Sequence, residues 1–126
     1  MKYSDVDTPS VLIDLDIVEA NIQKYQRYCN SIGLNLRPHI KTHKIPALAK
    51  LQLAEGAVGI TCQKISEAEA IISEGGIDDI LITYNIIGEK KLTRLLALAE
   101  RVKLSVVADN QTCISGLSEV FSKSNA

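Results

Sequence analysis

The stretch VGITCQKISEAEAIISEGGIDDILIT, residues 58–83, decides the fold. It opens on VGITC (58–62) and closes near ILIT (80–83), two short apolar runs rich in β-branched residues. Between them, SEAEAIIS (66–73) has Ser66 at a plausible helix N-cap, with Glu67 and Glu69 in the first turn. The partial positive charge of unpaired backbone N–H groups favours carboxylates there. Gly75 and Gly76 stand where such a helix should stop. Strand, helix, strand, in that order, is the βα unit of a parallel sheet.

Working outward, the pattern repeats. LNLRPHI (34–40) precedes it and KLSVVA (103–108) follows it, so the four runs start 24, 22 and 23 residues apart. PALAKLQLA (46–54) opens on a proline, tolerated in a first helical turn, and EKKLTRLLALAE (89–100) carries leucines at helical spacing. The expectation is an α/β fold of about four βα units. The even repeat, with no glycine-rich fingerprint after the first strand, favours part of a (β/α)₈ TIM barrel over an open doubly wound sheet. A complete barrel needs roughly 250 residues. Ahead of the repeat, SVLIDLD (10–16) alternates like a half-buried strand, and a helix is expected over 17–32 with Asp16 as its N-cap. The chain thus reads as a single incomplete domain over 1–126: an N-terminal strand and helix (1–32), then the first half of a barrel (33–126).

Composition narrows the function classes. Of 126 residues, 46% are hydrophobic and only 4% aromatic, so the core is built from Leu, Ile, Val and Ala, as in parallel α/β folds. A net charge of −1 argues against a nucleic-acid surface. No apolar run approaches a membrane span, and the polar start shows no secretory leader. Cys29, Cys62 and Cys113 are scattered without CxxC spacing, which suggests free thiols. A cytoplasmic location is expected.

In parallel α/β folds functional groups gather at the C-terminal ends of strands. Those positions carry His39, Lys41, Thr42, His43 and Lys44, then Cys62, Gln63 and Lys64, then Thr83, Tyr84 and Asn85, then Asp109 and Asn110. The richest block is RPHIKTHK (37–44). An inward-pointing lysine at a strand end loses hydration, which favours the neutral, nucleophilic amine. The plain alternative is a basic surface loop. His39 and His43 lie four apart, a metal-pair spacing on a helix, but Pro38 and the strand pattern speak against a helix there. Cys62 reads as a buried, inert thiol. Gln63 suits a hydrogen bond to a planar ligand as well as a turn, and Asn85 and Asp109 are equally turn residues or ligands.

DTPSVLIDLD (7–16), RPHIKTHK (37–44) and GAVGITCQKISEAE (56–69) together resemble the D-threonine aldolase and D-serine dehydratase family. These are fold-type III pyridoxal-phosphate enzymes related to the N-terminal domain of alanine racemase. The resemblance implies that Lys41 carries the cofactor and is the catalytic lysine. It implies that Arg37, His39 and His43 shape the pocket near the ring, that Gln63 faces the cofactor, and that Thr83 or Asn85 touches it. It further implies a lyase acting on a small D-β-hydroxy-amino acid, a full-length homodimer, and a divalent metal held by the C-terminal region rather than by this chain. Phosphate-binding loops belong to later barrel units, so the chain is expected to be a fragment, inactive alone. A pyridoxal-phosphate racemase, or a non-catalytic protein of pyridoxal-phosphate homeostasis on the same barrel, is the alternative.

Overall fold

The computed structural model describes residues 2–124. Three strands, β1 (Ile60–Cys62), β2 (Asp79–Ile82) and β3 (Lys103–Val106), form one sheet in the order β1-β2-β3. Both pairings are parallel. Helices alternate with them: α1 (Leu15–Ser31), α2 (Pro46–Ala54), α3 (Ile65–Ile72), α4 (Glu89–Ala99) and α5 (Gln111–Phe121). This is the α/β alternation expected from the spacing of the apolar runs, on an open sheet.

Side chains alternate across a strand, so the sheet has two unlike faces. Ile60 pairs with Ile80, and Ile80 with Leu104; Cys62 pairs with Ile82, and Ile82 with Val106. This set packs with Ile65, Ala68, Ile71 and Ile72 of α3 and Leu92, Leu95 and Leu98 of α4. Burial of that leucine stripe is what holds α4, whose opposite face is Lys and Arg. The other face carries Thr61, Leu81 and Ser105 in one row and Asp79 and Lys103 in the row before it.

Four sequence expectations change. Residues 34–40 do not form a full strand. They contribute one parallel bridge, His39 to Thr61, with Val58 N–H donating to Leu36 O (2.9 Å) and Thr61 N–H to Pro38 O (2.8 Å). Pro38 has no N–H to continue the ladder, and the chain turns into a 3₁₀ turn at Ile40–Thr42. Residues 10–14 have no regular structure: the alternation finds no partner strand, and Val11 is 93% exposed. The first helix starts at Leu15 rather than residue 17, because Asp14, not Asp16, caps it by accepting from Ile17 N–H (3.2 Å). α3 likewise starts one residue before Ser66, with Lys64 at its N-cap.

No helix among the described residues is long and apolar enough to cross a membrane.

Candidate functional site

Parallel strands end on one rim, and that rim collects the residues singled out above. His39 bridges to β1, and Ile40–Thr42 follows as a tight turn. His39 Nδ1 accepts the Lys41 backbone N–H (3.3 Å), so the ring caps the turn that presents the lysine. An accepting Nδ1 leaves the proton of a neutral imidazole on Nε2.

Lys41 itself is exposed and makes no ion pair among the described residues. On this open sheet its side chain stands in solvent. What the geometry provides is an accessible primary amine with no carboxylate against it.

The turn closes at Lys44, which takes φ 54, a left-handed conformation costly for a residue with a Cβ. Its N–H donates to Ile40 O (2.8 Å). His43 then braces the exit, its Nδ1 accepting Ile45 N–H (3.0 Å) just before Pro46 opens α2. Desolvation holds the half-buried His43 ring below the ordinary histidine pKa, against the Gln52 side chain and the Glu67 carboxylate, which act to raise it.

Gln63 follows β1 and is exposed; its backbone N–H donates to Glu67 Oε2 (3.1 Å). Glu67 sits three residues past the N-cap of α3, where a carboxylate reaches back over the helix start. Cys62, one residue earlier, is fully buried, and desolvation first, then Glu67, pushes its thiol up to about 12. Beside Gln63, a cleft of about 530 Å³ lies between the start of α3 and α4, lined in part by Lys64, Ser66, Tyr84, Lys91 and Arg94. Lys41 does not line it. Arg94 is committed to Glu69, bonding both of its carboxylate oxygens.

Two residues expected at the ring are engaged otherwise. Arg37 lies at the opposite end of the strands. Its Nη1 is 2.7 Å from Asp79 Oδ1, and Asp79 is the first residue of β2. The sequence neighbourhood of Arg37 and Lys41 is misleading, because four extended residues span most of the sheet height. Asn85 is on the rim, but its amide clamps the neighbouring loop. Its Oδ1 accepts Asp109 N–H (3.2 Å) and its Nδ2 donates to Asp109 Oδ1. Thr83 is exposed, and its N–H donates to Cys62 O.

Sequence reasoning missed two buried polar groups under the rim. In the sequence Glu67 reads only as first-turn charge; its place four residues after Gln63 is the available signal. Gln52 leaves no signal, being one of two polar residues, with Lys50, on an otherwise apolar helix. Among the described residues no cluster of three or more His, Cys, Asp or Glu side chains could hold a metal ion.

Residues 13–120 match the family described as alanine racemase, N-terminal domain, and the chain belongs to that family. It is 43% identical over 121 residues to a D-threonine aldolase of an Arthrobacter species, covering 96% of this chain and 32% of that protein. The crystal structure of D-threonine aldolase from Filomicrobium marinum superposes with a TM-score of 0.91 at 43% identity, over 95% of this chain and 32% of that one. D-threo-3-hydroxyaspartate dehydratase from Delftia sp. HT23 gives 0.81 at 34% identity, over 90% and 30%. The chain thus spans about a third of the length of the curated relatives it matches.

Proposed function

We propose that this chain supplies the cofactor-lysine part of a pyridoxal-phosphate lyase acting on D-β-hydroxy-amino acids. The observation that carries the reading is Lys41: an exposed, unpaired amine on a histidine-capped turn at the C-terminal rim of a parallel sheet. The relatives named above, aldolases and a dehydratase of such substrates, support the reaction class. A racemase would share the sheet and the lysine, but none of those relatives is named one.

In this proposal residues 33–126 are the first half of a (β/α)₈ barrel, with residues 36–39 as a short edge to β1. Residues 1–32 are an N-terminal segment and helix, and the whole is one incomplete domain. The residues present fit the covalent part of cofactor binding. Lys41 would bond the cofactor aldehyde, His39 would hold the lysine turn and offer its Nε2 to the same rim, and Gln63 would offer an amide from the next strand end. Asn85 would act by fixing the rim through Asp109. Arg37 would support the sheet from below. Bound there, the cofactor supplies an electron sink for a bond broken at the substrate α-carbon. The described residues do not fit a metal site, so any divalent ion that one of these lyases needs would be held elsewhere.

The test is chemical. The cofactor-loaded protein is reduced with borohydride, digested, and searched for the pyridoxyl-modified peptide. Modification is expected at Lys41. Modification at Lys44 or Lys64 in its place overturns the assignment.

A further inference from the structure

Three buried polar atoms beneath the Lys41 turn lack a hydrogen-bond partner: His43 Nε2, Gln52 Oε1 and Glu67 Oε1. Buried polar atoms are nearly always satisfied, and each exception calls for a cause. They come from three different segments: the loop after the 3₁₀ turn, α2, and the first turn of α3. The Gln52 side chain lies against the His43 ring, and the Glu67 carboxylate acts on that ring electrostatically.

The other side of the ring settles its polarity. Nδ1 is occupied as an acceptor of Ile45 N–H at 3.0 Å. A neutral ring therefore carries its proton on Nε2, a donor without an acceptor, while a Gln52 oxygen and a Glu67 oxygen are both short of a donor. One unsatisfied donor and two unsatisfied acceptors are complementary chemistry. The carboxylate has a second attachment, since Glu67 Oε2 holds the Gln63 N–H at 3.1 Å. Glu67 is only 6% exposed, so this is an interior group and not a solvated one.

We propose that Gln52 and Glu67 are positioning residues for Lys41, acting through His43. The Nε2–H of His43 is shared between their side-chain oxygens, which locks the ring. The locked ring holds Ile45 N–H and keeps Lys44 in its left-handed conformation. That conformation fixes the five-residue turn from Ile40 to Lys44 on which Lys41 stands. Strained backbone of this kind persists only where its surroundings over-determine it. Through Glu67 the same unit ties the Lys41 turn to the Gln63 turn, so the two strand ends move together. This inference rests on the cofactor reading of Lys41.

The experiment uses the chain labelled with ¹⁵N-histidine. There are two histidines, and a His39→Asn variant assigns them. The His43 ring should show a single Nε2–H tautomer at neutral pH and titrate below the ordinary histidine value of 6.5. Gln52→Leu and Glu67→Gln should each move that titration lower, and Gln52→Glu should move it back up. In parallel, the chain is incubated with pyridoxal phosphate, reduced, and mapped for label at Lys41 against Lys44. Gln52→Leu should lower the Lys41 share roughly three- to tenfold, the effect of losing one neutral hydrogen bond, and Gln52→Glu should restore it. A His43 ring with mixed tautomers, or a Lys41 share unchanged in both Gln52→Leu and Glu67→Gln, overturns the proposal. A locked ring in a chain whose label shows no preference for Lys41 instead overturns the cofactor reading, and the positioning role falls with it.

Discussion

The guanidinium of Arg37 passes across Gly59 to reach the carboxylate of Asp79, with Nη1 2.7 Å from Oδ1. Lys103 Nζ meets the other carboxylate oxygen at 3.0 Å. One aspartate thus gathers the edge segment, β2 and β3 at the start of the sheet, and does so on the face the helices leave uncovered.

That cluster predicts an acid-sensitive step. The Arg37 guanidinium beside it, above all, holds the Asp79 carboxyl below its ordinary value of 3.8. A carboxyl with a depressed folded pKa contributes stability that is complete above the unfolded value and lost as pH falls through the folded one. Stability should therefore decline below about pH 3.8, and Asp79→Asn should remove that part of the decline. At pH 7 the variant should be less stable by about 1–2 kcal/mol, between the effect of a charged buried hydrogen bond and that of an exposed ion pair. Urea unfolding across pH 3–7 would measure both.

Gly59 should tolerate no side chain. A Cβ there would overlap Arg37 Nη1 and lie 2.7 Å from the Asp79 carbonyl oxygen. The arginine could swing away, but β2 backbone could not. Gly59→Ala is expected to cost about 3 kcal/mol by overpacking, seen as a lowered Tm. Adding Arg37→Ala should recover only part of it. Full recovery would mean that the backbone contact is slack.

The thiols should differ sharply. With its thiol raised to about 12, Cys62 has almost no thiolate at pH 8. Cys113 is also fully buried, while Cys29 is partly open. Iodoacetamide on the native protein should modify Cys29 first and leave Cys62 until unfolding, read by peptide mass. Early alkylation of Cys62 would contradict the core described here.

Asn85 should act as a clamp that can be measured without any ligand. Asn85→Ala removes the acceptor of Asp109 N–H, so that amide should exchange with solvent about tenfold faster, as for one lost hydrogen bond. Amides within β2 should keep their protection. Unchanged exchange at Asp109 would show that the two loops are held by something else.

Much of the scaffold was legible because it depends on local pattern. The apolar runs near 58, 80 and 103 became β1, β2 and β3, since a run flanked by glycine stops and an amphipathic helix has one compact solution. Lys41 and Gln63 could be placed on the rim for the same reason. The errors came where pairing had to decide. Residues 10–16 alternate like a strand, yet Asp14 does more for the helix as a cap than Val11 and Ile13 can do without a sheet beside them. Residues 34–40 look like a strand until Pro38 interrupts their donors.

By itself the sequence determined the alternation of strands and helices, the lysine on the rim, and the family to which its motifs belong. These follow from residue order, where hydrophobic period, prolines and glycines act on their own neighbours. Only the tertiary structure decided which way each polar side chain is used. Arg37 and Lys41 are four residues apart but serve opposite ends of the sheet, while Gln52 and Glu67 come from separate helices to one histidine. Such meetings depend on register and helix packing across the fold, and no local stretch of residues encodes them.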